Sequence, residues 1–599
     1  MPFLQNLFPP SDRPIVFRRR FCAAAVGALL ATSAANAEQA PVAVSADTPP
    51  QVVFEVVLAE IALKRDKPKV ALAAYADLAL KYNDPGIFRR TLEIAAINRQ
   101  PALMRETARL WVEREPDSSD ALNALSGMQI MLGRYADAQP VLARYLASLS
   151  VDQREKAVLQ LPQRFPPQAD ARQAHALVDA VTAPYLSMPD ALLARAQMAQ
   201  RAGDDAIALQ EVQQARRLQP DSEAALLLNA QIYAKRSPEA VLNLFANFLA
   251  RYPKAATIRA LYAQQLLAAG RAPEARAEVV RLLEQEDVAP EPLFAAAAVA
   301  VQAQAPGLAV RALNRLLTVE SIDTALVQYN LGLAFEAQAD LDRARADGGA
   351  AATTAEAEAN LHYMQVRRGD YFVPARLRAA NLLARRGNLE GARALLQNTP
   401  VADAAARTEL IIGEATLMSE NGDKKGALQF LERAVAKDPG NVTLRYELGM
   451  MAERLGRMDL FESSMRAVIR KDPKYAQAYN ALGFTFADRN ERLKEARALI
   501  EKALSLSPND PFILDSMGWL CFREKKFDAA LDYLNRAASL RADPEIVAHQ
   551  IEVLRAMGRQ AEALQLWRAG MRQFPDNAVL KDLGKTLTST GAATGQQEP

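Results

Sequence analysis

The 599-residue chain has little of what most chemistry requires, with three histidines, two cysteines and 6% aromatic residues. His175, His362 and His549 are far apart, and there is no HExxH pair and no paired CxxC. Those spacings are what bring metal ligands together, so no metal site is expected. Cys22 lies in an N-terminal segment expected to be removed, which leaves Cys521 alone and excludes an intrachain disulfide. An excess of either charge is also missing, with 72 Lys+Arg against 70 Asp+Glu. That balance argues against a nucleic-acid binder, which needs a basic surplus to neutralise phosphates, and against a disordered polyelectrolyte. GxSxG, Walker and strand-borne GxGxxG patterns are absent. Acidic neighbours such as Glu113 and Glu115 read as solvated helix faces rather than acid/base dyads. The expectation is a non-enzymatic protein with no cofactor, no metal and no small-molecule substrate.

What the chain has is length and alanine. It is too long for one hydrophobic core. Half the residues are hydrophobic and Ala dominates them, which favours close-packed helices over strands. At the N-terminus, Arg18-Arg19-Arg20 precede an uncharged stretch from Phe21 to Ala37 that ends in Ala35-Asn36-Ala37. This is the arrangement of a secretory signal peptide, with cleavage expected after Ala37. Its apolar core is about half the roughly 20 residues that span a bilayer, too short for a retained anchor. The arginines lack the Ser/Thr that precedes them in a twin-arginine signal, so export of the unfolded chain is expected, from a translation start near Val16. Arg20-Phe21 stands before Cys22 where a lipid-acceptor cysteine would need small apolar residues. The periplasm is the expected location, and membrane anchoring is not supported.

Internal repetition organises the remainder. One unit runs Tyr479-x2-Leu482-Gly483-x2-Phe486, then Ala496-x3-Ile500-x2-Ala503-x4-Pro508. The next is marked by Gly518, Ala530, Leu534 and Ala537, and a further one by Gly558, Ala563, Trp567 and Pro575. Gly483 and Ala496 fall where two antiparallel helices cross, and a larger side chain would force them apart. The crossing position recurs at 71, 104, 138, weakly near 173, then at 208, 241, 275, 309, 344, 392, 427, 461, 496, 530 and 563. These are 33 to 35 residues apart except between 344 and 392. The units resemble the tetratricopeptide repeat (TPR), which implies an all-α, right-handed superhelical solenoid of helix-turn-helix repeats in about 15 slots.

The expected organisation is a signal peptide at 1–37, a linker at 38–50, an N-terminal arm of degenerate repeats at 51–340 and a C-terminal arm of clear repeats at 357–586. Between the arms, 341–356 contains Gly348-Gly349 in low-complexity sequence and reads as an extruded loop. Little in 587–599 could be buried, so a disordered tail is expected. Prolines 162, 166 and 167 predict irregular helices around the weak slot.

The residue after each Leu-Gly position should face the groove lined by the first helix of every pair. In three successive repeats it is Met450, Phe484 and Trp519, with Tyr446 and Phe522 one turn away and Arg454 and Arg523 at the polar edge. Large apolar groups repeated there fit a partner-binding groove, or else burial against neighbouring repeats. Cys521 falls at a packing position, so it is read as buried filler.

A second resemblance rests on Asp84-Pro85-Gly86-Ile87-Phe88-Arg89-Arg90-Thr91-Leu92-Glu93-Ile94-Ala95-Ala96, followed by Ala108-Arg109-Leu110-Trp111-Val112-Glu113. These segments are similar to the opening repeats of LbcA-type periplasmic TPR adaptors. That resemblance implies two kinds of protein partner, a carboxyl-terminal processing protease and peptidoglycan hydrolase clients, and an association with the outer membrane. Those adaptors are lipoproteins, and this sequence lacks their acceptor-cysteine context. The alternative expectation is an assembly scaffold for an envelope secretion, pilus or polysaccharide-export machine.

Overall fold

The computed structural model describes residues 49–592 apart from 235, 236, 321, 346 and 347. The signal segment lies outside the described residues, as do most of the linker and the last residues of the tail. Among the described residues the chain is all-α, with 31 α-helices, two short 3-10 turns and no strand. None of these helices is long and apolar enough to cross a membrane.

Consecutive helices pair, as Ala476–Asp488 does with Leu493–Leu506 and Pro511–Arg523 with Phe527–Leu540. Several prolines sit in the first turn of a helix, including Pro85, Pro189, Pro238, Pro511 and Pro544. There the fixed φ suits the helix and the missing N–H is not needed. Asp84, Asp510 and Asp543 cap their helices by accepting backbone N–H bonds. Between the two helices of a pair the backbone turns through a left-handed residue. This is glycine at Gly203, Gly270, Gly422 and Gly456, but Asp66, Arg99, Gln304, Asn490 and Lys525 take the same conformation elsewhere.

The crossing is as close as its small residues imply. A methyl built on Gly483 would lie 2.7 Å from Ile500 Cγ1 and 3.1 Å from the Ala496 carbonyl oxygen. On Gly518 it would lie 2.7 Å from Leu534 Cγ and 3.1 Å from the Ala530 oxygen. Ala71, Ala138, Ala208, Ala275, Ala309, Ala392, Ala427, Ala496, Ala530 and Ala563, all at expected crossing positions, are wholly buried. In the weak fourth slot, Val151–Gln160 passes into a 3-10 turn at Leu161–Arg164, and Ala171–Thr182 into another at Ala183–Tyr185.

The chain groups into two compact units. One holds the residues up to Ile322 together with Leu333–Ala355, and the other holds Asp323–Gly332 and the residues from Glu356 onward. The expected loop at 341–356 is a correction. Thr324–Arg343 and Gly349–Gln365 are helices of 20 and 17 residues, longer than the 13 or 14 usual elsewhere, and only residues 344–348 lie between them. Alanine is the strongest helix former, and Ala350-Ala351-Ala352 with its Thr, Ala and Glu successors extends the second helix instead of breaking it. Ala352 and Ala355 bury themselves against Ala339. Gly348 fits because the Asp342 carbonyl occupies the place of a Cβ.

Ala344, expected as a crossing residue, is exposed and follows the end of its helix. The close contact of this pair lies at Gly332, where the Tyr363 ring leaves no room for a Cβ, with Ala359 wholly buried one turn before Tyr363. The extra residues therefore lengthen both helices of one pair. The last helix, Ala578–Ala592, runs into the expected tail, and Leu587 is buried beside Leu580 and Leu554.

Gly518→Ala should cost about 1 kcal/mol, since about 1–3 kcal/mol of overpacking against the wholly buried Leu534 and the Ala530 carbonyl exceeds the ~1 kcal/mol gained in helix propensity. At Gly449 the added methyl meets mainly the mobile end of Met465, so Gly449→Ala should be neutral or stabilising. Urea unfolding followed by circular dichroism separates the two.

Candidate protein-binding site

The site predicted from sequence lies on the first helices of three successive pairs, Val442–Arg454, Ala476–Asp488 and Pro511–Arg523, and the next first helix, Pro544–Ala556, follows them. Leu448, Leu482 and Ile551 hold their helices in the core and leave one face outside it, whereas Pro511–Arg523 is buried all round from Ile513 to Cys521.

Met450 and Phe484 are half-buried on that face and Arg454 is exposed. Tyr446 is half-buried beside Tyr475, with ring centroids 5.4 Å apart, and burial pushes its phenol up to about 12. Trp519 is different, at only 5% exposed. Its indole N–H donates to Asp488 Oδ1 at 3.2 Å, and the His549 imidazole stacks on it with centroids 4.2 Å apart. Phe522 adjoins it at 4.9 Å, and the Arg523 guanidinium lies 4.8 Å from its ring centroid. Arg523 donates to the Asp488 carbonyl at 2.7 Å, and Phe484 is 6.3 Å from His549.

The structure thus gathers Phe484, Trp519, Phe522 and Arg523 around residues that sequence reasoning passed over, namely His549, Asp515 and Asp488. His549 Nδ1 lies 2.8 Å from Asp515 Oδ1. Burial alone would lower the imidazole pKa, but this bond and the charges of Asp515, Glu552 and Glu545 outweigh it and raise the pKa above the usual 6.5. The signal for the pair was its separation of 34 residues, one repeat. His362 likewise reaches Gln328 at the same separation. Cys521 is 2% exposed and burial raises its thiol pKa, the setting of an inert packing residue. Among the described residues no group of three His, Cys, Asp or Glu could hold a metal ion. The cluster offers an apolar and aromatic surface with fixed hydrogen-bonding groups, which is chemistry for recognition.

The tetratricopeptide repeat family model matches residues 413–464 and 462–511, which include the Met450 and Phe484 helices. A TPR repeat-containing protein of Pseudomonas aeruginosa is 32% identical over 503 residues, which is 83% of this chain and 81% of that protein. The chain belongs to the tetratricopeptide repeat family. Among solved structures, yeast Tom70 aligns at 14% identity and a TM-score of 0.38, covering 75% of this chain and 98% of that one. Pseudomonas aeruginosa PilF aligns at 17% identity and a TM-score of 0.28, covering 36% of this chain and 98% of that one.

In this TPR protein Trp519 is covered by its neighbours, while Met450 and Phe484 stay accessible. Trp519→Ala should therefore cost about 3–5 kcal/mol of stability, the usual range for a buried aromatic, measured by urea unfolding. For His549 the folded-state pKa is raised, so its stabilising contribution is complete below about pH 6.5 and is lost as pH rises through the raised value. The stability difference between the wild type and His549→Gln should shrink from pH 6 to pH 9. A proton NMR titration should show Asp515→Asn lowering the His549 midpoint.

Proposed function

We propose that this TPR protein is a non-enzymatic adaptor of the periplasm. It holds a partner, a carboxyl-terminal processing protease, on one stretch of its helix-pair array and that protease's envelope clients, peptidoglycan hydrolases, on another. The observation that carries the reading is the row of half-exposed apolar side chains, Met450 and Phe484, beside the Trp519 cluster on a chain whose described residues are helix pairs from end to end. Large apolar groups kept at accessible positions are what a protein interface uses as anchors. Holding two proteins on one chain raises the local concentration of one for the other, which accelerates their reaction without adding any chemistry. The signal-like N-terminus supports export, and the likeness of residues 84–96 and 108–113 to LbcA-type adaptors supports the choice of partners.

Affinity purification from the cell envelope tests this. Recovery of a processing protease and cell-wall hydrolases is expected, and Met450→Ser with Phe484→Ser should cut their recovery at least several-fold while helicity stays unchanged. Recovery of secretion, pilus or export components with neither protease nor hydrolase would overturn the adaptor reading in favour of an assembly scaffold.

A further inference from the structure

One residue on the second helices departs from the register of the array. Eight residues beyond the crossing position the chain places an apolar side chain, as at Ala79, Leu146, Leu249, Leu283, Val435 and Leu504, and the first five of these are at most 8% exposed. In the pair that crosses at Ala208 the same position holds Arg216, in the last turn of Asp205–Leu218. Arg216 is half-buried, and its Nε is shut off from solvent with no acceptor. Among the described residues no carboxylate or carbonyl bonds to it. Burial pushes its pKa below the usual guanidinium range and the neighbouring charge of Arg251 adds to the effect, while the other groups that act on it are the phenols of Tyr233 and Tyr252.

Arg251 is equally free. It stands ten residues past its crossing position, at the register of Arg114. Arg114 Nη1 donates to the Ala79 carbonyl at 3.1 Å and to the Tyr82 carbonyl at 3.0 Å, closing the end of the preceding second helix. Arg251 is exposed and makes no such bond and no ion pair among the described residues. Tyr233 lies at the end of the intervening first helix, Glu223–Ala234, and Tyr252 directly follows Pro238–Arg251. Both rings pack half-buried on the cluster of Phe245 and Leu249, and their hydroxyls meet no partner among the described residues. The helix C-terminus beneath Arg216 supplies about half an elementary negative charge, which offsets only part of one cation. The rest is uncompensated, a cost that the apolar residues used elsewhere at this position avoid.

We propose that Arg216, Arg251 and the hydroxyls of Tyr233 and Tyr252 bind a doubly charged phosphate group, as the free ion or as a phosphate monoester. Guanidinium forks and phenols all donate hydrogen bonds, and a phosphate accepts them on several oxygens at once. Near neutral pH a phosphate monoester carries about −1.5 to −2 charges, which matches two cations that have no acid of their own. A carboxylate would neutralise only one. The site is built from the ends of two second helices and one first helix, apart from the row of Met450 and Phe484, and it stands independently of the adaptor reading.

The probe is inorganic phosphate, titrated by calorimetry into the full-length exported protein, with acetate at equal ionic strength as the singly charged control. Phosphate should raise the Tm and bind at least tenfold more tightly than acetate. Arg216→Leu restores the apolar register, so its Tm without phosphate should equal or exceed that of the wild type while phosphate binding falls at least tenfold. Arg251→Gln with Tyr233→Phe should weaken phosphate to a similar degree. Phosphatidylcholine vesicles containing phosphatidic acid form the second arm. Sedimentation with them that Arg216→Leu abolishes would identify the group as a lipid headgroup, and binding of the free ion without sedimentation would identify it as a soluble phosphate. Undiminished phosphate binding by Arg216→Leu would overturn the site, as would acetate binding as tightly as phosphate. A lowered Tm of Arg216→Leu without phosphate would make the arginine structural and overturn it too. Failure of the wild type to bind either source of phosphate would also overturn it, and would leave capture of a protease from the envelope untouched.

Discussion

The close crossing of the two helices in each pair is the constraint on which the rest depends. At Gly483 and Gly518 the facing Ile500 and Leu534 side chains, with the Ala496 and Ala530 carbonyls close behind, leave no space for even a methyl group, and along the array the matching alanines are wholly buried. Helices this near bury small residues efficiently, but a single pair has too little apolar surface to hold a fold. The deficit is met by neighbours. One continuous cluster runs from Ala415 through Phe461, Ile500 and Leu534 to Val553, so each pair contributes a side to the core of the next. Stability is then a sum of local interfaces, and first helices such as Val442–Arg454 and Ala476–Asp488 keep one face outside the core.

Because the crossing demands small residues at a fixed period, it was legible in the sequence, and the register placed most helix pairs. It failed where the geometry is satisfied by other means. Gly332 crosses against Tyr363, so an alanine slot was sought at 344 and a loop was inferred where two helices are lengthened. Two glycines in sequence suggest a break, yet Gly349 only begins a helix that its alanines sustain. The left-handed turn was hidden in the same way. Lys525 at φ 62° and Asn490 at φ 56° take a conformation that a sequence search assigns to glycine, held there by the packing of the helices on either side.

The site was legible in position but not in exposure. The row of Met450, Phe484 and Trp519 was found from the register, whereas the covering of Trp519 comes from His549 on the next pair, which no local pattern reveals. What reveals it is the repeat period used as a contact rule. Residues about one repeat apart touch, as do Asp515 and His549 at 34, Asp488 and Trp519 at 31, and Glu60 and Arg90 at 30. Arg90 reaches the Glu60 carboxylate at 2.8 Å by this route and ties the first two pairs together, while Tyr75, from Glu60's own pair, donates to the same carboxylate at 2.7 Å. Polar side chains that look solvated within one repeat become specific partners once the next is stacked upon it.

The same crossing leaves one register position free to vary. Backbone and crossing fix where the position after each small residue points, and nothing in the crossing constrains what stands there. Met450 and Phe484 stand there half-buried, apolar groups from which only a complementary surface would exclude water. On Pro189–Arg201, Glu223–Ala234 and Ala256–Ala268 the position is held by Gln197, Gln231 and Gln264, so the residue type there changes along the chain without altering the fold.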